Sequence, residues 1–189
     1  MCPMKCFLIL LFFTGYPSLY AQKISENWKT ELNEAVAQFK TCKNITEAGI
    51  HSCNKYIGNA LQLIYQCNDF YAKEKQRYLL AGEIYDYVRS SSRWNLLGRG
   101  YEQEALTQAQ QQANQQRAVV AVYRSAAGEG HVAYVIPGEL QASGSWGLRV
   151  PNSAAFFIKE PERSYSHKGL SYSFPRNLIQ SVELYERKY

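Results

Sequence analysis

The stretch from Ala118 to Ile136 constrains this chain more than any other. Ala118-Val119-Val120-Ala121-Val122-Tyr123 is an unbroken apolar run, suited to a central strand. Ala126-Ala127-Gly128-Glu129-Gly130 has turn chemistry, and His131 to Ile136 forms a second strand that stops at Pro137-Gly138. Alternation puts His131, Ala133 and Val135 on one face of that strand and Val132, Tyr134 and Ile136 on the other. Leu148 to Val150, Ala154 to Ile158 and Val182 to Tyr185 read as further strands.

Helical periodicity dominates the earlier part of the chain. From Ser25 to about Lys40, Trp28, Leu32, Val36 and Phe39 share a face. A helix starting near Ser52 has Ile57, Ala60, Leu61 and Ile64 on its inner face. Ala72 to Ser90 has apolar points at Leu79, Ile84, Tyr85 and Val88, and Glu102 to Asn114 reads as a Gln- and Ala-rich helix. Helices followed by antiparallel strands predict an α+β fold.

Lys5, the apolar run Cys6 to Phe13 and the segment Pro17 to Ala21 have the form of a secretory leader over residues 1–21, followed by one domain over 22–189. Localisation is therefore expected to be secreted or periplasmic, with no stable membrane insertion after cleavage. The net charge is +5, and removal of Lys5 with the leader lowers it to +4. The basic residues are scattered rather than gathered in a stripe, which argues against nucleic acid as a partner. After the leader, Cys42, Cys53 and Cys67 remain, an odd number in a chain bound for an oxidising compartment. If Cys42 pairs with Cys67, the leftover thiol is Cys53; the other reading keeps all three reduced.

Cys53 stands in the first turn of its helix, where free backbone N–H groups and the helix dipole favour a thiolate and can receive an oxyanion. His131 opens a strand directly after Gly130, where an imidazole can act as base for such a thiol. A third polar group is needed to orient the ring. Asn152 is the first choice, with Glu139, Ser145 and Ser153 competing and His167 behind them. His51, two residues before Cys53, either tunes the thiol or is solvated. Trp94, Tyr101, Trp146 and Tyr56 are candidates for a substrate groove, or for half-buried packing. Metal-ligand spacings, a Gly-x-Ser-x-Gly elbow and a phosphate-binding glycine loop do not occur, so no metal or cofactor is expected.

Cys53-Asn54-Lys55-Tyr56-Ile57-Gly58-Asn59-Ala60-Leu61 and Gly130-His131-Val132-Ala133-Tyr134-Val135-Ile136 resemble the papain-like cell-wall hydrolases, the NlpC-type and CHAP-type cysteine amidases and endopeptidases. Trp94, Leu97-Gly98, Ala109 to Asn114 and Val119 to Val122 extend the likeness, which covers roughly residues 53–157. Gln115-Gln116 stands where relatives carry glycine. The resemblance implies a papain-like core in which Cys53 is the nucleophile and His131 the general base. The expected activity is cleavage of a peptidoglycan amide, in the sugar–peptide link or the stem peptide, through a thioester. Expected partners are peptidoglycan or its peptide stems and a cognate inhibitor protein. The alternative is an inactive papain-like module that binds cell-wall fragments or a partner protein; a third reading, prompted by the odd cysteine, is a thiol-trapping protein.

Overall fold

The computed structural model describes residues 24–42 and 53–189. The leader expected over residues 1–21 and His51 lie outside the described residues. The architecture is α+β, in three layers around an antiparallel sheet. Helices α1 (Trp28–Thr41), α2 (Asn54–Tyr65) and α3 (Ala81–Ser90) cover one face, and α4 (Gln103–Asn114) covers the other. The sheet holds β3 (Trp94–Arg99), β4 (Val119–Arg124), β5 (Gly130–Val135), β8 (Asn152–Ala155), β9 (Tyr165–Gly169) and β10 (Glu183–Arg187). Its order is β3-β10-β4-β5-β8-β9, with every neighbouring pair antiparallel. Two small hairpins stand apart, β1 (Tyr71–Ala72) with β2 (Arg77–Tyr78) and β6 (Gln141–Ser143) with β7 (Leu148–Val150).

The central strands are apolar on both sides because both sides are covered. Val120, Val122, Val132 and Tyr134 pack towards α1–α3, while Val119, Ala121, Ala133 and Val135 pack towards α4. On α2, Ile57, Ala60, Leu61 and Ile64 are all buried, as their spacing predicts. On α4, Ala109 and Ala113 meet a face that includes Ala121, Ala133 and Ala155, so small side chains on both sides let the helix lie close to the sheet.

Two local expectations need correction. The helix read over 72–90 begins only at Ala81, and the residues before it form the β1–β2 hairpin. Gln76 takes a left-handed conformation there, with φ 49°, which interrupts helical propagation. Glu83 marks the helix start by accepting the Leu80 N–H at 2.8 Å while holding Arg77 at 2.7 Å and Lys75 at 2.8 Å. Helices and strands are also interleaved rather than segregated, because β3 precedes α4 and β10 returns from the C-terminal end to lie between β3 and β4.

Among the described residues, a disulfide joins Cys42 to Cys53, with Cα atoms 5.9 Å apart, and Cys67 is free and buried. This overturns the Cys42–Cys67 pairing. Cys42 ends α1 and Cys53 begins α2, so packing of these two helices brings them together. Cys67 follows the far end of α2, which at 12 residues is about 18 Å long. Burial pushes the Cys67 thiol up to about 11, so it is protonated at neutral pH and a poor nucleophile. The 11-residue separation of the bridged cysteines puts its contribution at about 2–3 kcal/mol. A Cys42→Ser, Cys53→Ser double variant is expected to unfold in guanidinium with that loss; an unchanged midpoint under non-reducing conditions would refute the bridge.

Candidate functional site

A cavity of about 950 Å³ opens at one end of the sheet. Its walls come from the starts of α2 and α3, the β4–β5 turn, the segment after β8 and the segment after β9, contributing among others Ile57, Gly82, His131, Phe157, Tyr172 and Phe174. Gly130 is required for this construction. A Cβ atom there would lie 2.3 Å from the Gly82 backbone nitrogen, so only glycine lets the α3 start approach the strand.

His131 sits in an aromatic wall, its ring centroid 4.7 Å from that of Phe157 and 5.1 Å from that of Phe174. Its Nε2 is buried without a hydrogen-bond partner. Burial, with a smaller push from the Arg163 charge, lowers its pKa to about 4, so the ring is neutral at pH 7. Arg163 lies 4.8 Å over the Phe157 ring and pairs with Glu160. Two further ion pairs stand on the cavity wall, Arg124–Asp86 at 2.5 Å and Lys159–Glu129 at 2.5 Å. The site therefore combines an aromatic floor with charges that are largely neutralised by each other.

The expected nucleophile and base are not brought together. Cys53 is buried in the layer that holds Val132 and Tyr134, and the Tyr134 hydroxyl donates to the Ile57 carbonyl of α2. His131 has the opposite parity on β5, and its ring partners Phe157 and Phe174 belong to the α4 side. The alternation of side chains is as expected; the helix carrying Cys53 lies against the other face. As a disulfide sulfur, Cys53 Sγ also has no thiolate to offer.

Asn152 does not orient His131. Val135 pairs with Ser153, which places Asn152 beside Ile136, five residues along β5 from His131 and therefore about 16 Å away. Its side chain donates to the Pro137 carbonyl at 3.2 Å and accepts from Gln141 at 3.0 Å, and its backbone N–H donates to Gln110 at 2.7 Å. It is a buried strut under the Pro137-Gly138 turn. Among its competitors, Ser153 shares a buried hydroxyl chain with Tyr165 and Ser173, Ser145 bonds Ser143, and Glu139 is exposed. His167 stacks on Trp28 of α1 at 5.6 Å.

The groove aromatics also fall elsewhere. Trp94 opens β3, stacks on Phe70 at 5.5 Å and donates its indole N–H to Asp69 at 3.2 Å. Trp146 is buried against the α4 side, and its indole N–H donates to the Phe174 carbonyl at 3.1 Å. Tyr56 packs edge-on against Phe39 of α1. Tyr101 is exposed, but lines a different recess with Arg89 and Arg99. The cavity aromatics outside the sequence-based expectations are Tyr123, Phe156, Phe157, Tyr172 and Phe174. Phe157 was detectable in principle, because extending the Ala133–Ala155 pairing by one further step on the same face puts Phe157 beside His131. For Phe174, which arrives from a loop, no local signal exists.

No helix among the described residues is long and apolar enough to cross a membrane. No family model matches the chain, and no curated protein matches it.

Proposed function

We propose that this chain is an exported binding module with a papain-like core, which takes up cell-wall fragments in the cavity around His131. The observation that carries this reading is the separation of Cys53 and His131 onto opposite faces of the sheet, with Cys53 engaged by Cys42. A hydrolase needs those two side chains in contact; a binding module needs only the cavity. Phe157 and Tyr172 suit the apolar faces of sugars and of peptide stems, buried Phe174 backs the wall, and neutral His131 places no charge in it.

The test is calorimetric titration of soluble muropeptides into the purified protein, with parallel mass spectrometry of peptidoglycan incubated with it. Saturable binding is expected, weakened about tenfold or more by Phe157→Ala, with no new fragments. New fragments that disappear in Cys53→Ala would reject the binding-module reading in favour of the cysteine hydrolase. Absence of both binding and fragments would reject the cell wall as ligand.

A further inference from the structure

A second recess, of about 780 Å³, lies beyond α3 and is lined by the guanidinium groups of Arg89, Arg99 and Arg124. Three elements deliver them: Arg89 from the last turn of α3, Arg99 from the end of β3 and Arg124 from the end of β4. The acidic group in the same lining is Glu183, at the start of β10. Glu183 is buried and its carboxylate is committed: one oxygen accepts from Arg99 at 2.7 Å, the other from the Tyr185 hydroxyl at 2.7 Å. Arg89 lies 3.6 Å from it, donates to the Tyr85 hydroxyl at 2.6 Å and is half exposed. Arg124 donates to both oxygens of the Asp86 carboxylate at 2.5 Å, on the wall it shares with the large cavity, and that carboxylate is itself 58 % exposed. The lining thus carries more positive than negative charge, and each guanidinium has N–H donors beyond those used in these bonds.

We propose that this recess binds an oxyanion, a phosphate or carboxylate group held jointly by Arg89, Arg99 and Arg124. A recess lined by arginines from three separate elements suits such a ligand, because planar guanidinium forks can each donate in pairs to one set of oxygens. Tyr85 and Tyr101 stand in the same lining and offer hydroxyl or ring contact to whatever carries the anion. Buried Glu183 fixes Arg99 through one guanidinium nitrogen at 2.7 Å. The site does not depend on the cell-wall reading, although Arg124 lines both the recess and the large cavity.

The experiment is a titration of the whole protein with inorganic phosphate and, in a parallel arm, with acetate, at constant ionic strength set by chloride. The arginine Nε–Hε resonances are followed by NMR. Shifts confined to Arg89, Arg99 and Arg124 are expected, saturating with an apparent Kd on the order of 1 mM in at least one arm. The arm that saturates at lower concentration assigns phosphate or carboxylate. Arg89→Gln, at a half-exposed position, is expected to weaken binding about tenfold with the fold intact. Arg124→Gln is the second variant, expected to do the same should Arg89→Gln melt early. Linear responses in both arms, shifts shared equally with the exposed Arg176, or unchanged affinity in a folded variant would overturn the proposal.

Discussion

Replacing Asp69 with alanine is expected to remove about 3–5 kcal/mol of stability, because it leaves a largely buried guanidinium without its counter-charge. Asp69 is the meeting point of four side chains, those of Arg187, Trp94, Arg93 and Cys67. It accepts from Arg187 Nε at 2.9 Å and Nη2 at 3.1 Å and from the Trp94 indole at 3.2 Å, and lies 3.5 Å from Arg93. Those contacts tie the segment after α2 to both β3 and β10, the last strand in the sequence. Burial by itself would raise the Asp69 pKa, but the hydrogen bonds and charge of Arg187 outweigh it and hold the carboxyl below its ordinary value. The sign follows directly. A depressed carboxylate pKa contributes stability that is present above the unfolded value, about 3.9, and lost as pH falls through the folded value. Guanidinium denaturation of wild type and Asp69→Ala at pH 7 checks the magnitude; a difference below about 1 kcal/mol would show that Arg187 finds water instead.

The second large effect is pH-dependent and belongs to His131. Its pKa falls from about 6.5 in the unfolded chain to about 4 in the fold, mainly through burial. The unfolded chain therefore binds the proton first on acidification, and stability is lost as pH falls from about 6.5 towards 4. At 1.36 kcal/mol per pKa unit, the protein loses about 3 kcal/mol over that window through this residue. His131→Phe keeps an aromatic ring beside Phe157 and Phe174 and removes the titration. Wild type is thus expected to lose about 3 kcal/mol more than His131→Phe between pH 7 and pH 4, measured by denaturation at both values. Equal losses would mean that the imidazole gains a proton in the folded state at ordinary cost.

The helical period of α2, the apolar run of β4 and the side-chain alternation of β5 were legible because each reflects burial against a neighbouring layer, whichever layer that is. The boundaries of α4 and β7 were similarly accessible from spacing and from Pro151. The strands β3 and β9 were not. β3 is an outer strand of the sheet and carries polar side chains at Asn95 and Arg99, and β9 includes His167 and Lys168 and forms the opposite edge. Edge strands are half solvated and lack the apolar run that marks central ones. Asp69 was equally hidden, since its partners lie 25 and 118 residues away along the chain.

The candidate site shows the division most sharply. By itself the sequence determined that His131 opens a strand, that Gly130 precedes it, and that His131, Ala133 and Val135 point the same way. It also determined that Cys53 stands at a helix start. Which face of the sheet that helix covers, and which cysteine lies opposite Cys53, was decided only by the tertiary structure. Periodicity is a property of one element and survives any choice of neighbours, whereas layer assignment and disulfide partner depend on how α1, α2 and β5 pack in space. A nucleophile and a base must share a space as well as a chain order. Here packing sent Cys53 to Cys42 and His131 to Phe157 and Phe174.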